Sequence, residues 1–368
     1  MKYIVCGIGP GTGGVGKFLE YLISISSDDE CEFIYPKRSS VKNNLLRKII
    51  ENAIYRPIFR MKLRSAKGHS VTILHQQTVG YSSVKWLVNN ASSITLYVMD
   101  NGVFCVKAYN YIDGEAGECF KCLGGDYSNS YINKCIPQPL RRRSQAIAMQ
   151  KFLEDRKCEI NFITLSESNA QLLMEHYGKD ISISTRYFQT LDLINTTLLA
   201  EPNSETKFDV VLHAGDIAAK GFIYFLDLAS LLPEFSFFVP TKKLPFKYSK
   251  FPNIHSQDVR WENGLKQIVE NSRLILTPSL WSFTPEAATL KSLTYNGAVA
   301  VVKNKYSFSN EMSENAYLPL SGQPMDDAPK IKAYLDGTYL VDLREHAATY
   351  TEKYFYRADR DTLSIVST

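Results

Sequence analysis

The sequence predicts an α/β protein built from two layered domains. Three observations carry that expectation. Short apolar runs alternate with helix-like stretches, most runs end in a glycine or polar turn, and a length of 368 residues suits two full cores. In the first half the runs are Tyr3–Gly7, Cys31–Tyr35, Val71–His75, Ile94–Met99 and Ile160–Leu165. Glu201–Thr206 is polar, contains Pro202 and reads as a linker. A second set follows at Asp209–His213, Phe235–Val239, Leu274–Thr277 and Ala298–Val302, with helical stretches at Phe222–Leu232 and Glu262–Asn271. The last stretch, Leu343–Tyr356, has a helical pattern dense in aromatic and charged residues and is free to pack on either domain. The expected division is 1–200, 201–340 and a terminal helix in 341–368, for which packing back on the first domain is one arrangement.

Composition narrows the function classes. With 22% charged residues and ordinary glycine and proline counts, the chain is neither disordered nor collagen-like. A net charge of +4 gives no argument for nucleic-acid binding. No apolar run approaches the ~20 residues that cross a bilayer. The opening Met1–Gly7 loses its apolar character too early for a signal peptide. Seven cysteines, an odd number, then point to a reducing, cytoplasmic compartment.

The first run leads into Gly9-Pro10-Gly11-Thr12-Gly13-Gly14-Val15-Gly16-Lys17. Glycines let a backbone approach a phosphate, and the N–H groups of a following helix favour negative charge. Gly11 through Lys17 fits the first seven positions of a phosphate-binding P-loop, but Phe18 stands where a hydroxyl would ligate Mg²⁺. An anion or sugar site is therefore preferred to a working ATPase, and a plain tight turn is the bland alternative.

Between Pro36 and Gly68 lie ten Lys/Arg and one acidic residue, Glu51. Leu45, Leu46, Ile49, Ile50, Ile54, Ile58 and Phe59 fall near helical spacing among Lys42, Arg47, Lys48, Arg56 and Arg60. A basic amphipathic segment suits an anionic membrane surface. The alternative is a surface helix whose apolar face packs on the sheet.

Asn101–Pro139 carries Cys105, Cys119, Cys122 and Cys135, with Cys119-Phe120-Lys121-Cys122 as a CxxC knuckle. Four thiolates can close a tetrahedral zinc site, and an iron–sulfur cluster uses the same ligands. The expected metal is structural zinc; four unrelated thiols are the alternative.

In the second half, Val210–Phe222 is a strand, a glycine turn at Gly215 and a lysine, Lys220, at a helix start. Such a lysine can neutralise a phosphate. Leu274–Glu286 is a strand ending in Thr277-Pro278-Ser279, with Thr284 as expected N-cap, Pro285 in the first helical position and Glu286 in the first turn. A helix N-terminus at a strand's C-terminal end is where α/β folds bind nucleotides.

With these segments in view, the chain resembles the GT-B glycosyltransferases, in particular the retaining family four group of bacterial cell-surface polysaccharide assembly. Lys220-Gly221 looks like that group's donor-phosphate turn, with Asp216 where an Arg is usual. Pro278-Ser279-Leu280-Trp281 and Gly297–Val302 look like the two ends of its donor-binding segment. Glu286 stands for one of the usual glutamate pair, with Thr294 or Ser292 in the second place. Gly13-Gly14-Val15-Gly16 resembles the loop facing the donor phosphates, Met99-Asp100 the group's His-Asp, and Ser166-Glu167 its Ser-Glu. The cysteine insertion is similar to one in some polysaccharide-assembly members.

The resemblance implies two Rossmann-like domains facing across a cleft and retaining sugar transfer without a catalytic metal. It implies a UDP- or GDP-sugar donor and a lipid-linked saccharide acceptor. Gly13, Gly14, Gly215, Lys220, Ser279, Thr284 and Glu286 are the expected donor-binding residues, and Lys220, Glu286, Asp100 and His75 the expected catalytic ones. The 36–68 segment would face the inner membrane, and no nucleic-acid partner is expected. Two rival classes remain: a P-loop-like nucleotide-binding protein and a non-catalytic scaffold of the same fold.

Overall fold

The computed structural model of the chain describes residues 1–368 except 12, 27–30, 38–40, 42, 115–116, 138–141, 191–192, 194–206 and 367–368. The linker expected at Glu201–Thr206, like Thr12 and Lys42, lies outside the described residues. Two compact units are present. Unit one comprises Met1–Tyr109, Phe120–Asp192 and Arg357–Thr368; unit two comprises Asn110–Cys119 and Leu193–Tyr356.

Unit one is a six-stranded sheet of β1 (Lys2–Val5), β2 (Cys31–Ile34), β3 (Ser70–Ile73), β4 (Ser93–Val98), β5 (Ile160–Thr164) and β6 (Ser182–Thr185), in the order β2-β1-β3-β4-β5-β6. Every pairing is parallel. Parallel strands need crossovers, and helices such as Gly13–Ile25, Tyr81–Asn90 and Arg143–Asp155 supply them. The β2–β3 crossover is a continuous helical run: Asn44–Ile50, a π-helical turn at Glu51–Tyr55, Arg56–Lys62 and a 3₁₀ turn at Leu63–Ala66. Phe18, buried in the first helix, packs its ring on Tyr97 and Phe188 at 5.8 and 5.4 Å. Late in the helix Leu343–Val366, the Ile365 carbonyl accepts from Lys2 Nζ at 2.6 Å and Asp361 from the Tyr187 N–H at 3.0 Å.

Unit two has β7 (Val210–Leu212), β8 (Phe237–Val239), β9 (Ile254–Ser256), β10 (Leu274–Leu276), β11 (Val299–Val302) and β12 (Leu318–Leu320), in the order β12-β11-β10-β7-β8-β9, again all parallel. The central strands are fully buried Val, Ile and Leu runs, as both faces of a parallel sheet require. The helix Phe222–Leu231 agrees with expectation within a residue. The stretch Glu262–Asn271 divides at Gly264 (φ +128°) into a 3₁₀ turn, Trp261–Asn263, and a helix, Leu265–Glu270.

Strand order locates the ligand-binding ends. Counted from its own first strand, unit two has the 3-2-1-4-5-6 order of dinucleotide folds, and unit one the 2-1-3-4-5 order with a further strand. The order reverses between β1 and β3 in one sheet and between β7 and β10 in the other. Ligands of such sheets bind beyond the carboxyl ends at these reversals. Among the described residues no helix is long and apolar enough to cross a membrane.

Candidate functional site

At the reversal in unit two, the chain leaving β7 forms a 3₁₀ turn, Ala218–Lys220, that closes at Gly221 with φ +77°. A Cβ at Gly221 would strike the Pro278 carbonyl, so only glycine lets the lysine turn press against the loop after β10. The Leu280 N–H donates to the Ala219 carbonyl at 2.8 Å and fastens the two loops further. This packing brings Lys220, Ser279 and Glu286 together. Lys220 Nζ lies 3.6 Å from Glu286 Oε1, and Ser279 Oγ donates to Oε2 at 3.2 Å.

The helix here begins later than expected. It runs Ala287–Tyr295 with Glu286 at the N-cap position and no side-chain cap, so Thr284 is not the cap and Glu286 is not in the first turn. The physical reason is competition: Ser279 and Lys220 hold the Glu286 carboxylate that could otherwise face the helix N–H groups. Thr284 is buried in the loop, while Gly215 and Asp216 are exposed, with Asp216 Oδ2 accepting from Thr241 Oγ1 at 3.4 Å.

Beneath this surface His213, which follows β7, is buried, and its ring stacks on Trp261 at 5.1 Å and 5°. Ser292 Oγ donates to the Ala288 carbonyl at 2.9 Å, so at 2.8 Å from His213 Nδ1 it accepts, which places that ring's proton on Nδ1. Burial, with the Lys291 and Lys220 charges, pushes the His213 pKa down to about 3, so the ring is neutral. Ser292, in one of the places expected for a second glutamate, serves this buried histidine instead.

A brace completes unit two. Asn110–Cys119, closed by an antiparallel bridge between Tyr111 and Glu118, docks on the loop after β10. The Asn110 amide pairs with the Ser282 backbone and hydroxyl at 3.0 and 2.8 Å. Glu118 accepts from Ser282 Oγ and from the backbone N–H groups of Lys305 and Tyr306 at 2.5 and 3.2 Å. Burial outweighs these bonds and holds the Glu118 pKa above its usual range.

In unit one, His75 follows β3 and Asp100 follows the adjacent β4, and the fold brings them into contact: His75 Nε2 donates to Asp100 Oδ2 at 2.9 Å. The other ring nitrogen lies 3.1 Å from Thr78 Oγ1. With its amide nitrogen assigned toward the pair, Gln77 donates to Asp100 Oδ2 at 2.8 Å. Asp100 also accepts from the Gly102 N–H at 2.9 Å, so the carboxylate is fixed on two sides. Gly13 and Gly14 open the first helix, are exposed, and would meet nothing within 4 Å of an added Cβ. Phe18, where a P-loop needs its metal-binding hydroxyl, is a core residue 1% exposed.

The four cysteines are not gathered. Among the described residues no group of three or more His, Cys, Asp or Glu side chains is placed to hold a metal. Cys105 Sγ donates to the Tyr109 carbonyl at 3.7 Å, the Cys119 N–H to Asn110 at 2.7 Å, and the Cys135 N–H to Ser130 at 2.9 Å. Cys119 counts with unit two and the other three with unit one.

Several solved structures are similar to this chain over its whole length. The Anabaena protein Alr3699/HepE, solved in complex with UDP, aligns over 100% of both chains with a TM-score of 0.64 and 10% identity. WaaG, a glycosyltransferase involved in lipopolysaccharide biosynthesis, aligns over 99% of both chains at 0.63 and 14%. The chain has the GT-B fold. A trehalose-6-phosphate structure from E. coli, bound with UDP-2-fluoro glucose, covers 100% of this chain and 98% of its own at TM-score 0.59 and 10% identity. No family model and no curated protein matches the sequence. On this GT-B frame, Lys220, Ser279 and Glu286 lie beyond β7 and β10, and His75 and Asp100 lie beyond β3 and β4. Gln77, Thr78, His213, Trp261 and Glu118 were missed from sequence. Gln77 and Thr78 carried a local signal in their closeness to His75; the others depend on contacts between distant segments.

Proposed function

We propose that the chain is a glycosyltransferase that moves a sugar from a UDP-linked donor to a lipid-linked saccharide acceptor, with retention, in cell-surface polysaccharide assembly. The observation that carries this reading is the Lys220–Glu286–Ser279 cluster at the strand-order reversal of unit two, in a fold shared with proteins solved with UDP and a UDP-sugar. As the glycosidic bond breaks, negative charge gathers on the leaving diphosphate, and Lys220 meets it where it develops. Glu286, held by Ser279, accepts hydrogen bonds from donor-sugar hydroxyls. In unit one, Asp100 fixes the His75 ring so that it can contact the acceptor or donor sugar.

The helical run before β3 supports a membrane-bound acceptor. Its apolar residues do not all pack on the sheet: Phe59, Leu63 and Ala66 are buried, but Leu45, Ile49 and Met61 are 71%, 53% and 66% exposed, and Leu46, Ile54 and Ile58 are exposed as well. Apolar side chains exposed beside Arg47, Arg56, Arg60 and Lys62 match an anionic bilayer, with the chain working at the cytoplasmic face of the inner membrane.

The test is radiolabel transfer from a panel of UDP-sugars to a polyprenyl-diphosphate-linked saccharide in vesicles. Acceptor-dependent labelling is expected, faster with phosphatidylglycerol in the bilayer than with phosphatidylcholine alone. No acceptor-dependent labelling from any UDP-sugar would contradict the reading.

A further inference from the structure

A cavity in unit one remains unused by the function above. We propose that it binds the phosphate group that joins the acceptor saccharide to its lipid, an inference that rests on the lipid-linked acceptor just argued. The cavity measures about 160 Å³. At ~30 Å³ per water it has room for about five waters, enough for a phosphate group.

Its position follows from topology. Gly7, just beyond β1, and Thr78 to Ser83, just beyond β3, line it, so it opens at the strand-order reversal of this sheet. Gly7 is required there, because a Cβ would collide with the Thr78–Val79 backbone.

The charge of the lining selects the ligand. Arg56 and Arg60 lie on its wall, and among the described residues no Asp or Glu does. The two stand four residues apart in the helix Arg56–Lys62, a spacing at which like charges repel. Neither forms an ion pair within the described residues. A phosphate between them would remove the repulsion and accept charge-assisted hydrogen bonds from both guanidinium groups. Ser82 and Ser83 add hydroxyl donors.

Two connections make the phosphate that of a lipid acceptor. Arg56, Phe59 and Arg60 on the cavity wall belong to the same helical run that exposes Ile54, Ile58 and Met61, so a phosphate in the cavity has apolar surface beside it for its lipid chain. Thr78, also on the wall, is the residue hydrogen-bonded to His75, itself bonded to Asp100. The cavity therefore adjoins the pair proposed to contact the sugar.

The experiment is calorimetric titration of the full chain with dodecyl phosphate below its micelle concentration, inorganic phosphate and neutral dodecyl maltoside. The variants are R56Q/R60Q and, as an equal-charge control elsewhere on unit one, K85Q/K151Q. Dodecyl phosphate is expected to bind more tightly than inorganic phosphate. R56Q/R60Q is expected to weaken it about tenfold or more, since two charge-assisted contacts are lost, and K85Q/K151Q to leave it unchanged. Equal binding by R56Q/R60Q, an equal loss in the control, or equally tight binding of dodecyl maltoside would overturn the site. Inorganic phosphate binding as tightly as dodecyl phosphate would overturn the lipid source. No probe requires a donor or turnover, so failure of sugar transfer with dodecyl phosphate binding retained counts against the proposed activity alone.

Discussion

Replacing Lys220 by Ala is expected to weaken UDP binding about tenfold to a hundredfold while leaving uridine binding unchanged, because a hydrogen-bonded charge contact contributes about 1.5–3 kcal/mol. The split between the two ligands isolates the diphosphate as the group that Lys220 meets. Sugar transfer should fall further, by about 10²–10³, because the diphosphate gains charge in the transition state. The variant should still fold. Lys220 is 25% exposed at its side chain, and the close packing of its turn belongs to Gly221 and Pro278. Glu286 would lose its cation, and Lys220→Arg, which keeps the charge, should recover part of the UDP affinity. Equal UDP affinity in wild type and Lys220→Ala would remove this lysine from the donor site.

The chain is also expected to lose about 4 kcal/mol of stability between pH 7.5 and pH 5, from its two buried neutral histidines. Burial and the Lys291 and Lys220 charges lower His213 to about 3, and burial with the Lys157 charge lowers His176 to about 4, against 6.5 for the unfolded chain. Below 6.5 the unfolded state therefore binds protons that the native state refuses. This stability is fully present above pH 6.5 and is lost as pH falls toward those values. For His176 the native bonds explain the refusal. Its Nδ1 accepts the Gly124 N–H at 3.1 Å, which leaves no room for a proton there, and its ring packs on Tyr127 and Tyr177. Glu118, raised by burial, works in the opposite direction, one group against two. Urea unfolding at pH 7.5 and pH 5 reads the difference; an unchanged midpoint would contradict it.

Strands β7, β10 and β11 were legible because burial on both faces of a parallel sheet demands unbroken apolar runs, and in β1, β3 and β4 apolar residues still recur among Lys, Ser and Thr. The edge strands β6, β9 and β12 were not legible. Ser182-Ile183-Ser184-Thr185 is only partly buried, Ile254–Ser256 has three residues, and Leu318-Pro319-Leu320 carries a proline that an edge tolerates because one side of its backbone is unpaired. His75 and Asp100 could be found as polar residues at apolar strand ends, but nothing local shows that neighbouring strands bring them together. Glu118 lay beyond reach because its partner Ser282 is 164 residues away. The start of the helix Ala287–Tyr295 was misplaced because Thr284-Pro285-Glu286 has the composition of a helix N-terminus, while Ser279 and Lys220, on other loops, hold the Glu286 carboxylate. In the cysteine segment the spacing suggested ligands, whereas the hydrogen bonds of Asn110 and Glu118 show part of it to be a brace.

The central claim, a UDP-sugar site built around Lys220 and Glu286, is tested most directly by the thermal midpoint of the full chain with UDP, GDP, CMP, ADP and ATP, each with and without Mg²⁺. The account predicts selective stabilisation by UDP that does not require Mg²⁺. Stabilisation by ATP alone and only with Mg²⁺, or no stabilisation by any nucleotide, would contradict it.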